Sequence, residues 1–241
     1  VITFKFLSYE FEIKCTRSST LDLDKFAAPY NLHFGPGPSW IKPDNSWITI
    51  DLDPDRGDLV LNFRDFEHLS LPDQQVSSVY GSHVFEHVNP HVSNLLFREI
   101  YRVLMPGGIF RLVLPDVERS IKAYLENDLE FSLFRRRRDR AKEHWGLDYT
   151  AFDCLREDFI SRGMQHDLLG ARTLAHQNAW DYASLACELN SIGFETILSG
   201  FQSSVCDAFS FEGTYPSEAN EVSRSLYVDA VKPGACERSE Q

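Results

Sequence analysis

Apolar and polar residues alternate through ITFKFLSYEFEIK, residues 2–14, the period of one strand or a small hairpin lying on a sheet edge or over a site. Residues 18–28 carry a weak helical pattern with Ser19 or Thr20 as cap. The pattern sharpens at Tyr30. Leu32 and Phe34 belong to a buried strand over 30–34 that Gly35-Pro36-Gly37 stops, and Trp47, Ile48, Ile50 and Leu52 to a second over 47–52 with Asp51 and Asp53 at its carboxyl end. DLVLNF, residues 58–63, is a short third strand followed by Arg64-Asp65-Phe66, and Val76–Tyr80 is a fourth. Asn89-Pro90 reads as helix cap and first helical residue, with Val92, Leu96, Ile100 and Val103 recurring at helical spacing. Met105-Pro106-Gly107-Gly108 ends that helix. Ile109–Leu114 is an apolar run broken by Arg111, suited to a strand covered on both faces. Asp116 caps a helix through Ile121 and Leu125.

The alternation lapses after Asn127. Residues 128–178 are charged and aromatic with no strand pattern, and are expected to form a helical insertion capping the ligand edge of the sheet. Its Arg135–Arg138 run is expected to be a solvated helix face paired with Asp139 and Glu143, with an acidic ligand or phosphate as the other use. Its aromatics, Phe134, Trp145, Tyr149 and Phe152, are expected to fill the insertion's own core. Regularity returns with an Asp181-capped helix bearing Leu185, Leu189 and Ile192 and ended by Gly193, then strands over 194–198 and 225–231. Strands alternating with helices predict an α/β protein with a parallel sheet wound on both sides.

Length and charge narrow this picture. The 241 residues suit one domain over 1–233, with an N-terminal strand or hairpin within 1–28 and a polar, disordered tail over 234–241. An apolar fraction of 43% supports a packed core. The net charge of −12 argues against nucleic acid as a partner. The five cysteines, Cys15, Cys154, Cys187, Cys206 and Cys236, form no C-x-x-C pair and point to reduced thiols in the cytoplasm. No apolar run has transmembrane length and the start lacks signal-peptide organisation, so no membrane partner is expected. Oligomeric state leaves no trace in the pattern.

The chemistry gathers at the glycine turn and the acid-ended strand. In an open α/β sheet, ligands bind outside the carboxyl ends of the strands. Glycines let the backbone approach a ligand closely, and one carboxylate accepts from both hydroxyls of a ribose diol, so Asp51 suits an adenosine-type ligand. The position three after Gly37 is Trp40, so the third glycine of the dinucleotide fingerprint is missing, which counts against a nicotinamide oxidoreductase. His83-x-x-Glu86-His87 fits the pattern of an inverted zinc peptidase, which needs both histidines on one helix face. Here a strand precedes it and Asn89-Pro90 follows, so a zinc hydrolase is a lesser alternative and no metal site is expected.

Four blocks stand in order: GPG, ITIDLD, LPDQQVSSVYGSHVFEHV and REIYRVLMPGGIFRLVLPD. Together they resemble the class I methyltransferases that use S-adenosylmethionine, and among them the type-11-like predicted bacterial group. The resemblance covers residues 30–125, with a weaker echo in AWDYASLACELNSIGFETI. It implies a Rossmann-like, seven-stranded, mostly parallel sheet whose last strand is antiparallel. It also implies S-adenosyl-L-methionine as cofactor, held by Phe34, Gly35 and Gly37 at the methionine part, Asp51 with Leu52 at the ribose, Asp65 and Phe66 at the adenine, and Ser82, His83 and Val84 beside the transfer channel. Some similar methyltransferases carry E-x-x-E-H and bind a divalent ion, but His83 replaces the first Glu here. His83 is the first candidate general base, ahead of His87, Asp116, His144 and His176. The expected reaction is methyl transfer to a small-molecule or glycan-type acceptor. The alternative is a binding or partner subunit that keeps the cofactor fold without catalysis.

Overall fold

The computed structural model describes residues 2–6, 9–13, 21–61, 66–160, 176–207, 209, 211 and 222–234. Strands β1 (Ile2–Phe6) and β2 (Tyr9–Ile13) pair antiparallel as a separate two-stranded sheet, the hairpin that the alternation implied. The expected helix over 18–28 is reduced to a 3₁₀ turn, Leu23–Lys25, whose Asp22 makes no side-chain cap. Leu21, Leu23 and Phe26 are half-buried against the main core, but no residue of the turn is fully buried. Ser19 and Thr20 lie outside the described residues.

Seven strands form the main sheet: β3 (Tyr30–Phe34), β4 (Trp47–Asp51), β5 (Leu59–Val60), β6 (Val76–Ser82), β7 (Leu104–Pro115), β8 (Glu195–Leu198) and β9 (Ser225–Val231). Their order is β5-β4-β3-β6-β7-β9-β8. The β5 to β7 block is parallel throughout, and β9 runs antiparallel between β7 and β8. Chain order reverses between β3 and β6, so the carboxyl ends of those strands flank the crevice where such a sheet takes ligands. The strand expected at 109–114 begins earlier, at Leu104, which pairs with Val76. Met105–Gly108 is an irregularity between that pair and Ile109 opposite Ser78, held by the Gly107 N–H to the Lys232 carbonyl and the Lys232 N–H to the Gly108 carbonyl.

The strand period of two assigns each residue to a layer. Leu32 and Phe34 join Ile48, Ile50, Val79 and the apolar side of α1 (Pro90–Val103) in the main core. His33, between them, faces the opposite layer against Trp40, Trp47 and Tyr80. Helix α1 starts where the Asn89 side chain accepts from the N–H groups of His91 and Val92, both at 3.1 Å, with Pro90 as first helical residue. It buries Val92, Leu96, Phe97, Ile100 and Val103, each contributing about 1.5–3 kcal/mol relative to exposure. Asp116 caps α2 (Val117–Leu125) and Asp181 caps α5 (Tyr182–Ile192), which Gly193 ends at φ 120°.

Arg111 interrupts an apolar strand yet is fully buried. Its guanidinium meets Asp229 on β9 at 3.0 Å and also donates to the carbonyls of Gly200 and Ser203. The insertion holds α3 (Ser132–Trp145) and α4 (Ala151–Arg156), and residues 161–175 of it lie outside the described residues. Phe134 and Tyr149 fill its core with Ala141 and Cys154, while Phe152 is exposed against Tyr124. The arginine run is not a uniform solvated face. Arg137 is buried and pairs with Asp158 at 2.6 Å, and Arg140 pairs with Glu157, because α4 and the turn after it lie across α3. Among the described residues no helix is long and apolar enough to cross a membrane.

Candidate functional site

Three strand ends meet at the switch in chain order. Gly35 and Gly37 follow β3 with φ of 59° and 69°, conformations open to glycine at little cost. The Gly35 N–H donates to the Ile50 carbonyl at 2.9 Å, which hooks the turn onto β4 one residue before Asp51. A Cβ on Gly35 would overlap the Val84 side chain, so the turn also seats on the segment after β6. Asp51 is half-buried, and its Oδ1 accepts from the Asp53 N–H at 2.8 Å, which sets the carboxylate's orientation. The turn thus requires glycine at 35 by overlap and by φ and favours it at 37 by φ alone, and it lies beside an oriented acid at the next strand end.

The other residues expected around the cofactor fall into two groups. Leu52 is half-buried beside Asp51, and Ser82 is buried at the end of β6 with a hydroxyl that has no hydrogen-bond partner among the described residues. Phe34 and Phe66 are in the main core, where the Phe34 ring lies 5.5 Å from that of Phe85. Phe34 therefore borders the turn through its backbone. Asp65 lies outside the described residues.

Beyond β6 the chain makes a tight corner. His83 has φ 53°, sparsely populated for a residue with a side chain, and its N–H donates to the Val113 carbonyl at 2.8 Å. The corner turns the ring inward. Its Nε2 lies 2.9 Å from the Ser225 hydroxyl and its Nδ1 3.3 Å from Glu86 Oε1. Glu86 sits in a 3₁₀ turn, Phe85–His87, with only 1% exposure. Burial pushes its carboxyl upward, but the His83 hydrogen bond and charge, with His87 and His176, outweigh this and hold it at about 2.

Residues 176–178 cross this turn. The N–H groups of Gln177 and Asn178 donate to the Glu86 carbonyl at 2.8 and 3.1 Å, and the Gln177 side chain donates to the His87 carbonyl at 3.2 Å. The crossing brings the His176 ring within 4.9 Å of the His87 ring. Burial lowers the pKa of His176, partly opposed by Glu86. These histidines and Glu86 share a cavity of about 220 Å³ that Pro115, Leu133, Arg137 and Arg224 also line. Burial, with Arg136 and Arg137 nearby, lowers the Arg224 guanidinium to about 10.

Of the candidate bases, the structure brings His83, His87 and His176 together. Asp116 is engaged as the α2 cap and with Arg119, and His144 is exposed on α3. Glu86 as the buried hub, and Ser225, Arg137 and Arg224 as its surroundings, were not evident from the pattern. Glu86 had a signal in its position between two histidines; Ser225, at the start of a distant strand, had none.

Residues 51–112 match a family model described as a methyltransferase domain. No curated protein matches the chain. Solved structures that are similar include a methyltransferase from Methanosarcina mazei, 15% identical over 85% of this chain and 92% of that one, TM-score 0.46. An S-adenosylmethionine-dependent methyltransferase from Mesorhizobium loti is 16% identical over 86% of this chain and 92% of that one, TM-score 0.44. The 1,6-didemethyltoxoflavin-N1-methyltransferase of Burkholderia thailandensis, solved with 1,6-didemethyltoxoflavin and S-adenosylhomocysteine, is 12% identical over 86% and 72%, TM-score 0.42.

Proposed function

We propose that this class I methyltransferase chain binds S-adenosylmethionine where β3, β4 and β6 end, and methylates a small-molecule or glycan-type acceptor in the cytoplasm. The single observation that carries the reading is the Gly35–Gly37 turn, hooked to β4 beside Asp51 and backed by Val84. Gly35 and Gly37 would pass the methionine part, Asp51 would take the ribose hydroxyls, and Ser82 would offer its hydroxyl. When bound, the cofactor supplies an electrophilic methyl group on a sulfonium, so the protein's share is alignment, exclusion of water and removal of a proton.

His83 is the residue proposed for that proton. Glu86 Oε1 accepts from its Nδ1, which leaves the lone pair on Nε2. That nitrogen takes the Ser225 hydroxyl until an acceptor hydroxyl or amine replaces it. The cavity beside His83, lined also by Leu133 and Arg137 of α3, is the proposed acceptor entrance. The free thiols of Cys154 and Cys187 accord with a reducing compartment.

Calorimetric titration of the purified chain with S-adenosylmethionine, and separately with NADH, tests the cofactor. The expected result is micromolar binding of the sulfonium compound that Asp51→Ala abolishes. Unchanged affinity in that variant, or binding of NADH alone, would contradict the assignment.

A further inference from the structure

Glu86, His87 and His176 each offer one donor atom, and these atoms lie within 4.8 Å of one another beside the cavity. We propose that they form a binding site for one divalent cation of the zinc class, with open coordination positions facing the cavity. The donor set, two imidazoles and a carboxylate, is one that Zn²⁺ accepts when it keeps a position for water or substrate. This ligand set differs from the contiguous His83-x-x-Glu86-His87 reading. His83 is turned to Ser225, and the third ligand comes from the segment that crosses the turn.

Three features mark the cluster as a built site. The Glu86 carboxylate is buried, with Oε1 turned to His83 and Oε2 lacking any hydrogen-bond partner among the described residues. A buried carboxylate oxygen left bare is costly, and a cation satisfies it. The His176 ring is oriented from behind: its Nδ1 lies 3.1 Å from the Asp158 carbonyl, which can only accept. Nδ1 therefore carries the proton and Nε2 the lone pair, the backing that metal-ligating histidines have. The third feature is the pair of hydrogen bonds from Gln177 and Asn178 to the Glu86 carbonyl, which clamps the His176 segment onto the turn bearing the other two ligands.

The spacing requires little adjustment. Bonds of about 2.0–2.2 Å to a tetrahedral ion place donor atoms about 3.4 Å apart. The three donor atoms lie within 4.8 Å of one another, and His87 Nε2 lies 3.9 Å from Glu86 Oε1, the oxygen that also faces His83. The other charged groups lining the cavity are Arg137, paired with Asp158, and Arg224. Cations in the lining favour a water, hydroxide or anionic oxygen in an open position.

The test is titration of the metal-stripped full chain with Zn²⁺ by competition against a chromophoric chelator, with Co²⁺ as a spectroscopic probe. The expected result is one equivalent bound, visible Co²⁺ absorption of a four- or five-coordinate site, and at least about tenfold weaker binding in His87→Ala and His176→Gln. Thermal melting checks that each variant is folded. Exposed His144→Ala should bind as the parent does. Failure to bind, variants that bind like the parent, or an equal loss in His144→Ala would overturn the proposal. The site is independent of the cofactor reading, since zinc and S-adenosylmethionine titrations can fail separately.

Discussion

Gly35 lies so close to Val84 that a Cβ at position 35 would occupy the space of the Val84 side chain. The contact locks the turn after β3 to the segment after β6. Gly35→Ala should therefore combine backbone strain at φ 59° with overlap, a cost of about 1–3 kcal/mol. A lowered melting temperature together with weaker S-adenosylmethionine binding is expected. Partial recovery of both in Gly35→Ala with Val84→Ala would tie the effect to this contact.

His83→Ala should leave cofactor affinity within a few-fold of the parent and lower kcat by about 10²–10⁴, the range for loss of a general base. Steady-state kinetics on an identified acceptor separate the two quantities. A variant with unaltered kcat would return His83 to a structural role at the corner of β6.

The Arg111–Asp229 pair is buried on both sides, so Arg111→Ala leaves a carboxylate uncompensated between β7 and β9. The expected loss is about 3–5 kcal/mol. Removing both charges, as Arg111→Met with Asp229→Leu, should cost less than the sum of the single changes in urea unfolding. Additive losses would show that the two groups act separately.

Acid should weaken the fold in two windows. Burial drives His33 down to about 3 from its ordinary value of 6.5. The unfolded chain then binds the extra proton between those values, and stability falls as pH falls. From pH 7 to 5 this amounts to about 2 kcal/mol. His176, also lowered by burial, adds in the same direction. Glu86, held at about 2 against an ordinary value of 4.5, contributes stability that is present above 4.5 and is lost as pH falls through 2. His33→Phe should reduce the upper window to the part from His176 and leave the lower one. Urea unfolding at several pH values checks both.

Much of this architecture follows from local order alone. Asn89-Pro90 and Asp116 start helices because their side chains and φ preferences act within three residues, and the apolar runs at 47–52 and 225–231 are strands because both their faces are covered. The glycine turn and Asp51 were legible for the same reason: a left-handed turn and an acid-ended strand are local facts. Of the helix expected over 18–28, the described part, 21–28, holds only the 3₁₀ turn Leu23–Lys25 without a side-chain cap, since a single short turn fixes several residues for few hydrogen bonds.

Tertiary structure decided what depends on distant partners. Arg111 reads as a flaw in an apolar strand until Asp229, 118 positions away, lies beside it. Arg137 reads as one of four surface cations until Asp158 turns it inward. The meeting of Glu86 and His87 with His176 depends on a segment folded back across the turn by backbone hydrogen bonds, and backbone donors are the same for every residue but proline. Sequence determines which groups can ionise, ligate or bend. Which of them share one desolvated space, and so shift each other's charge, is set only when the strands have paired.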